Sequence, residues 1–364
     1  RNSLVVESII MAQRILPKFF VFENVRGFLN SVCTDVDGQD KKIREAIEAD
    51  LAGHYNILYK VVNFKDYGNP SSRTRTLVIG VRKDIKEVTP LDLFPDKQHE
   101  KTLRQTIGHL PSLKTMGEIA PNDIYHGFRS YSPRMECWIA DLKEGQSAFD
   151  NTDPSKIPHT VKNGVIVYNA QKNGDKYTRQ YWDKVAPCIH TRNDIMASQN
   201  TVHPPDNRVF SIRELMLMMS VPESFQWSDI SFEALNKLKV TEKRAFLKKE
   251  EMNIRQNLGE AVPTIIFKQI ARKVKWALAK NEFSDTEITN IVRKNELQIT
   301  ENLVQFIKAK KNLGFAFLSK VAELANSQRD DNAAYYTRQD ICYSIINELP
   351  EASKFESIKI LEPS

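Results

Sequence analysis

The sequence predicts an α/β fold that gives way to an irregular, β-containing module and then to a helical C-terminal region. Apolar residues recur at helical spacing from Leu4 to Leu16. An aromatic and β-branched run then follows at Phe19 to Phe22, as expected for a buried parallel strand. From about Lys83 to Arg208, ten prolines interrupt any regular pattern. A helix feeding a buried strand is half of a βαβ unit, so the early chain is predicted to be α/β.

Composition allows a nucleic-acid partner without requiring one. The 364 residues are 41% hydrophobic and 27% charged, which is ordinary for a globular protein. The formal net charge is +6. The four cysteines form no CxxC pair, so a disulfide framework or a zinc site is not indicated and a reducing cytoplasm is favoured. Because the chain starts at Arg1 within a helical pattern, we expect it to begin inside a longer protein.

The first part of the chain predicts two helices and three strands. Pro17 ends the first helix, and Gly53 follows the second. The remaining predicted elements are a helix from Asp40 to Leu51, strands at Tyr55 to Phe64 and Thr76 to Val81, and a turn at Gly68 to Pro70.

Glu23 and Asn24 stand where the apolar run ends. The carboxyl ends of parallel strands form the edge at which open α/β sheets bind ligands, so both are candidate site residues. An acid after a buried strand is more often a turn or capping residue, and that alternative stays open here.

Arg73 and Arg75 precede the strand that starts at Thr76. At positions i and i+2 of an extended segment they point the same way, so both guanidinium groups can converge on one carboxylate, carbonyl oxygen or phosphate. A solvated strand entrance is the alternative.

The irregular module contains short possible strands at Gly164 to Asn169 and Tyr177 to Trp182. Its aromatic and basic residues are of the types that contact phosphates and base edges, although they are equally typical of loop surface. They include Tyr125, His126, Phe128, Arg129, Tyr131, Arg134, Lys172, Lys176, Tyr177, Arg179 and Tyr181.

Regular patterning returns after His203. Ser211 and Glu214 form an S-x-x-E capping box for a short helix over Leu215 to Met219. Mixed-charge helical sequence follows from Phe232 to Glu251. A loop at Asn253 to Pro263, in which Gly259 and Ala261 permit close backbone approach, then precedes an amphipathic helix over Thr264 to Ala279.

Four segments in order resemble the later motifs of the DNA (cytosine-5)-methyltransferase family over residues 1 to 280. These segments are FENVRGF, SSRTRTLVIGVR, HPPDNRVFSIRELMLMMSVPESF and RQNLGEAVP. The resemblance implies a partial Rossmann-like methyltransferase sheet. It assigns residues 1–83 to the rear part of the catalytic domain, 84–205 to a target recognition domain and 206–280 to the return to the catalytic domain.

The resemblance also implies residue roles. Glu23 would be the catalytic acid of the ENV motif, with Arg73 and Arg75 as the arginine pair. The closing loop near S-adenosylmethionine would be Gly259 to Pro263. The candidate cofactor-binding residues are Asn257, Gly259, Glu260, Ala261 and Val262, and the candidate substrate-binding residues are Asn24 and Arg192. No metal is implied.

The chemistry of the family explains these residue types. A cysteine thiolate adds to cytosine C6, and C5 of the resulting enamine attacks the sulfonium methyl group. A carboxylic acid hydrogen-bonded to N3 and the exocyclic amine stabilises the ring as charge builds on it, which suits Glu23. An adjacent arginine, Arg75 before Arg73, can hold O2 and orient the acid. Since the base is inaccessible inside a duplex, it must be flipped out.

The chain also departs from the family pattern. The family's glycine-rich cofactor loop, ribose-binding acid and Pro-Cys nucleophile all precede the ENV motif, so we expect this fragment alone to be inactive. Cys188 follows a proline but lies after the arginine pair, and Cys33 has no preceding proline, so neither is expected to be the nucleophile. Glu260 stands where the family commonly has asparagine, which leaves its cofactor contact open.

The tail carries a second, shorter resemblance. Residues 281–330 are predicted to be a helical linker. YYT at 335–337 and ILEPS at 360–364 resemble the entrance to an adenine-N6 DNA methyltransferase domain, which would occupy 331–364, although Arg338 replaces the usual proline.

We therefore expect a DNA modification methyltransferase of a restriction-modification system that acts on double-stranded DNA in a prokaryotic cytoplasm. It would be completed by the missing front half and could be bifunctional. A non-catalytic or split DNA-recognition subunit is the alternative, and an unrelated α/β protein with similar motifs is a third.

Overall fold

The computed structural model describes residues 3–86, 88–170, 175–282, 285–310 and 315–327. Its strands are β1 Phe19–Val25, β2 Val32–Thr34, β3 Asp40–Lys42, β4 Tyr55–Asn63, β5 Thr74–Arg82, β6 Ile119–Ala120, β7 Asp123–Gly127, β8 His159–Lys162 and β9 Val165–Tyr168. Its helices are α1 Ser3–Ile15, α2 Ile43–Leu51, α3 Leu103–Ile107, α4 Pro133–Ile139, α5 Ile212–Met218, α6 Phe232–Lys237, α7 Val240–Glu260, α8 Thr264–Glu282, α9 Asp285–Lys294, α10 Thr300–Ala309 and α11 Phe315–Ser327.

The described residues divide into two compact units. The first unit comes from Arg1–Val62, Arg75–Lys97 and Lys268–Ser364, and the second from Asn63–Thr74 and Gln98–Phe267. Each unit has its own apolar core.

The sheet of the first unit has the strand order β1-β5-β4. β1 pairs with β5 in antiparallel fashion, with Phe19 opposite Val81 and Val25 opposite Arg75. The prediction of a buried parallel strand at Phe19 to Phe22 is therefore wrong in direction, and only Phe20 of these residues is buried. Aromatic and β-branched residues fit either kind of ladder, so composition alone does not decide the direction.

Helix α2 packs its predicted apolar face, made of Ile43, Ala46, Ile47 and Leu51, into the core of the first unit. The helix begins at Ile43, not at Asp40, because residues 40–42 pair with β2 as strand β3. The Thr34 hydroxyl donates to the Asp40 carboxylate over 2.8 Å and reinforces that pairing.

The second unit contains the irregular sequence. Its largest core combines α3, β7, α5 and α7 residues, including Leu103, Ile124, Met216 and Leu258. Hairpin β8–β9 confirms the predicted strand near 164–169. No strand forms at Tyr177–Trp182 in the described chain; its backbone pairs only in single bridges such as Arg179 with Val202. The buried Arg179 side chain binds the carbonyls of His203 and Pro204, both at 2.9 Å, instead of extending from a regular ladder.

The capping box before α5 is confirmed. The Ser211 hydroxyl accepts from Glu214 N at 3.2 Å, and Glu214 Oε2 accepts from Ser211 N at 2.7 Å. By contrast, the predicted loop at 253–263 is mostly helical, since α7 runs through Glu260. Gly259 does not end the helix; it allows the helix to approach another segment of backbone.

The predicted helical linker contains α9, α10 and α11, which enclose a small core that includes Ile288, Val292, Leu303 and Val321. The proposed adenine-N6 entrance at 331–364 lies outside the described residues. Among the described helices, none combines the length and the apolar character needed to cross a membrane.

Candidate functional site

Glu23 and Arg75 form an ion pair on one face of the first unit's sheet. Arg75 Nε lies 3.0 Å from Glu23 Oε1, and the two side chains are 16% and 13% exposed. Glu23 belongs to β1 and is opposite Leu77, whereas Arg75 is opposite Val25. Residues two apart on a strand share a face, so the pair is a diagonal contact between neighbouring strands. The sheet thus holds a carboxyl group and a guanidinium group together in a mostly dry environment.

Asn24 follows Glu23 in β1 and therefore projects from the opposite face of the strand. Its side-chain oxygen accepts from the backbone N–H of Val25 over 2.9 Å. The structure thus places Asn24 beside Glu23 in sequence but does not put both side chains on one face.

Arg73 is buried in the second unit with 3% exposure. Its Nη1 and Nη2 each donate to the carbonyl of Gly259 over 3.2 Å, Nη2 donates to Glu260 O over 3.4 Å, and Nη1 donates to Ile189 O over 3.4 Å. A cation at the last carbonyls of a helix satisfies orphan acceptors and opposes the negative end of the helix dipole. In this unit, Arg73 caps the C-terminus of α7.

The five candidate cofactor residues lie at and just after the end of α7. Asn257 and Glu260 are exposed, and Ala261 and Val262 are half-buried. Gly259 is buried against another segment: a Cβ built on it would lie 2.6 Å from His190 C and O. Gly259 therefore serves helix packing. These residues alone do not enclose a site for a nucleoside.

Arg192 is exposed and paired. Its Nε donates to Asp194 Oδ1 over 3.0 Å, and the Asp194 carboxylate is 1% exposed. Asp194 was not singled out by the sequence. Its neighbours Asn193 and Ile195 give no local sign that the Asp194 side chain is buried.

A buried ionic network beside the Ser211 capping box was also missed. Arg208 Nη1 and Nη2 bind the two Glu214 oxygens at 2.8 Å each, and Arg208 Nε donates to Asp206 Oδ2 over 3.0 Å. His203 Nε2 lies 3.3 Å from Glu214 Oε1. The cluster of His203, Asp206 and Arg208 shortly before Glu214 was the available signal.

Opposing forces set the pKa values in this network. Burial alone would raise the pKa of Glu214, but the charge and hydrogen bonds of Arg208, together with His203, bring it well below the ordinary value. Burial lowers the pKa of His203 despite the neighbouring carboxylates. The Asp206 N–H donates to His203 Nδ1 over 3.3 Å, an arrangement that requires a lone pair on this nitrogen. His203 is thus held as the neutral imidazole.

Neither Cys33 nor Cys188 lies in surroundings that support its assignment as a nucleophile. Cys33 is 1% exposed, and its burial and the nearby Asp35 raise the pKa of its thiol. Both effects disfavour the thiolate. Cys188 is half-buried, and its thiol lies 3.9 Å from the Ile189 carbonyl. Within the described ranges, no group of three or more His, Cys, Asp or Glu side chains could hold a metal ion.

The C-5 cytosine-specific DNA methylase family matches residues 1–276, which is more than half of the chain. The chain therefore belongs to this family of S-adenosylmethionine-dependent DNA methyltransferases.

Curated relatives include several type II methyltransferases. M1.HgaI from Avibacterium volantium is 28% identical over 75% of this chain and 70% of its own length. M.XorII from Xanthomonas oryzae pv. oryzae is 21% identical over 79% of this chain and 65% of its own length. M1.HphI from Haemophilus parahaemolyticus is 29% identical over 75% and 61%, respectively. The chain thus spans between 61% and 70% of the lengths of these three relatives.

A solved DNA modification methyltransferase encoded within an Escherichia coli prophage aligns with 76% of this chain and 74% of its own chain. The sequence identity is 18% and the TM-score is 0.49.

Proposed function

We propose that this chain contributes the cytosine-activating acid and the DNA-recognition part of a DNA (cytosine-5)-methyltransferase. The proposed reaction transfers a methyl group from S-adenosylmethionine to C5 of a cytosine that is flipped out of a specific duplex site. The observation that carries the proposal is the Glu23–Arg75 pair, in which an acid and a guanidinium group lie 3.0 Å apart with little exposure. Family membership over residues 1–276 supplies the reaction class.

In this proposal Glu23 acts on the base and Arg75 positions Glu23. Nucleophilic addition at C6 pushes electron density towards N3. A proton that the Glu23 carboxylate takes up from solvent and shares with N3 stabilises the developing charge. The Arg75 Nε contact restricts the rotamer of Glu23. When bound, S-adenosylmethionine would supply the electrophilic methyl group.

The remaining residues would support binding. We assign Asn24 and Arg192 to the DNA substrate, and residues 84–205 to target recognition. Arg73 and Gly259 maintain the end of α7, from which Asn257, Glu260, Ala261 and Val262 would reach the cofactor region. The type II names of the relatives lead us to propose the modification role in a restriction-modification system.

A split or non-catalytic DNA-recognition subunit is the second candidate, and it would bind specific duplex DNA without methyl transfer by this chain alone. A bifunctional protein, with an adenine-N6 activity encoded beyond residue 331, is a further form of the first candidate. Retention of the Glu23–Arg75 pair favours an enzyme, since a protein that only recognises DNA has no need of a buried acid beside an arginine.

The test is methyl transfer from labelled S-adenosylmethionine to duplex DNA, with the modified base identified by mass spectrometry. The chain would be assayed alone, after extension upstream through its native coding sequence, and after addition of a separately expressed upstream segment. 5-Methylcytosine in the second or third assay supports the proposal, and the third would define a split enzyme. Specific DNA binding without transfer in any assay would favour the recognition subunit.

A further inference from the structure

One buried carboxylate holds two exposed arginines in the second unit. Arg129 Nη2 donates to Asp194 Oδ2 over 2.9 Å and to the Asp194 carbonyl over 3.0 Å. Arg192 binds the other carboxylate oxygen through Nε at 3.0 Å. The Asp194 side chain is 1% exposed, whereas those of Arg129 and Arg192 are 43% and 59% exposed. Two segments separated by 65 residues in sequence therefore present guanidinium groups from one fixed point.

The two guanidinium groups keep donors available for a ligand. Within the described chain, neither the Nη1 of Arg129 nor that of Arg192 donates to a protein acceptor. Two arginines and one aspartate leave a local charge of one positive unit. Although burial opposes ionisation of Asp194, the hydrogen bond from Arg192 and the charges of both arginines lower its pKa, so the carboxylate stays ionised at neutral pH.

The support beneath the pair is also fixed. The Asn193 side chain donates to His190 O over 2.7 Å and to Arg255 O over 2.9 Å, which ties the Arg192 segment to helix α7. Arg104 and Asp183 form a contrasting pair in the same unit, because there the carboxylate is 71% exposed and the pair lies in solvent. An exposed pair loses side-chain entropy on ordering, whereas Asp194 has already restricted its arginines.

We propose that Arg129 and Arg192, positioned by Asp194, bind a backbone phosphate of duplex DNA. This inference rests on the proposed function and extends it by naming a contact with the DNA. Guanidinium groups match the oxygen geometry of phosphate, and a preorganised pair loses little conformational freedom on binding. The contact is independent of base sequence and sets the register of the DNA on the recognition domain. Asp194 is a positioning residue, and it does not touch the phosphate.

Arginine substitutions test the contact through the salt dependence of binding. We would measure the affinity of the full chain for a labelled pool of random-sequence duplexes over a series of salt concentrations. Arg129→Gln and Arg192→Gln should each reduce the slope of log affinity against log salt by about 1, and the double variant by about 2. Arg44→Gln is the control, since it removes an exposed arginine that pairs with Glu48 over 2.9 Å outside residues 84–205, and it should leave the slope unchanged.

Asp194→Asn separates geometry from charge. This change makes the surface more positive, so a purely electrostatic patch would bind DNA more tightly. If Asp194 positions the arginines, the variant binds more weakly and its salt slope also falls. Circular dichroism would establish that each variant is folded. If Asp194→Asn does not fold, the two arginine variants still test the phosphate contact, because their substituted side chains are exposed.

The outcomes separate this inference from the proposed function. If the wild-type chain binds duplex DNA and the double arginine variant shows the same salt slope as the wild type, the phosphate contact is overturned. The methyltransferase proposal would still stand. Tighter binding by folded Asp194→Asn would overturn the positioning role. Absence of duplex binding by the wild-type chain and by its upstream-extended form would remove the proposed function itself.

Discussion

Arg75 Nε contacts Glu23 Oε1 at 3.0 Å although the two residues are not opposite each other in the sheet. The ladder places Glu23 across from Leu77 and Arg75 across from Val25, so the ion pair runs diagonally between β1 and β5. A diagonal contact needs a long side chain, which arginine provides. The position of the Glu23 carboxyl group therefore depends on both strands. A substitution at either residue should lower the rate of methyl transfer.

Glu23→Gln should lower methyl transfer by about 100-fold or more, because glutamine keeps the shape of the side chain but has no acidic proton to share with N3. The rate would be measured under single-turnover conditions with the upstream-extended chain, and DNA affinity should change little. Glu48→Gln is a suitable control, since Glu48 pairs with Arg44 at 2.9 Å on the surface of the same unit. Equal rates for wild type and Glu23→Gln would exclude Glu23 from the mechanism.

Arg75→Gln should lower the rate by about tenfold to a hundredfold, which corresponds to a charge-assisted hydrogen bond of about 1.5 to 3 kcal/mol. If arginine acts through Glu23, adding Arg75→Gln to Glu23→Gln should have a much smaller effect than it has in the wild type. The double-mutant cycle is the measurement. Fully additive effects would show that the two residues act independently. Arg44→Gln, which breaks the exposed pair with Glu48, provides the control.

Gly259→Ala should destabilise the second unit by about 1 to 3 kcal/mol, because the new methyl group would lie 2.6 Å from backbone atoms of His190 and Thr191. Thermal unfolding followed by circular dichroism would detect this as a Tm several degrees lower. Gly53→Ala is the control, since no atom lies within 4 Å of a Cβ built there. A Tm equal to that of the wild type would mean that the two backbones can separate without cost.

Stability should fall as the pH is lowered below about 6.5, the ordinary pKa of histidine. Burial lowers the pKa of His203 in the folded chain, so below that pH the unfolded chain binds more protons than the folded one. The neighbouring carboxylates Asp206 and Glu214 have lowered pKa values and contribute stability above about 4, so their loss occurs at lower pH. Arg208 stays charged throughout.

Unfolding free energies of the wild type and of His203→Gln, measured across this range, check the assignment. His203→Gln should flatten the pH dependence between about 6.5 and the lowered folded pKa. His54→Gln, which replaces an exposed histidine, should retain the wild-type profile. The same decline in both variants would locate the titrating group elsewhere.

Local features of the fold could be predicted from the sequence. The apolar face of α2 and the Ser211–Glu214 capping box depend on residues within one turn of each other, and both are present in the structure. The direction of β1 could not be predicted, because the run at Phe19 to Phe22 suits either kind of ladder. Gly259 suggested a loop, but it lies in a helix. A glycine is needed there because the helix packs closely against His190, which is far away in sequence.

The candidate site was predictable to a similar degree. The alignment of motifs indicated Glu23 and Arg75, and the structure brings their side chains together. Nothing local distinguished Asp194, whose partner Arg129 is 65 residues earlier in the chain. The burial of Asp194 depends on contacts with segments that are distant in sequence, so its neighbouring residues did not reveal it.

Under the proposed assignment of residues 84–205 to target recognition, the close packing of Gly259 on His190 constrains how this segment can be exchanged. Because Arg73 donates hydrogen bonds to the carbonyls of both Ile189 and Gly259, the segment at 189–190 and the last turn of α7 share one interface. A chimera that takes residues 84–205 from a relative should keep both sides of this interface from a single parent. In a library of variants of residues 84–205, the varied positions should therefore exclude 189–190. These two residues and Gly259 form the junction to preserve.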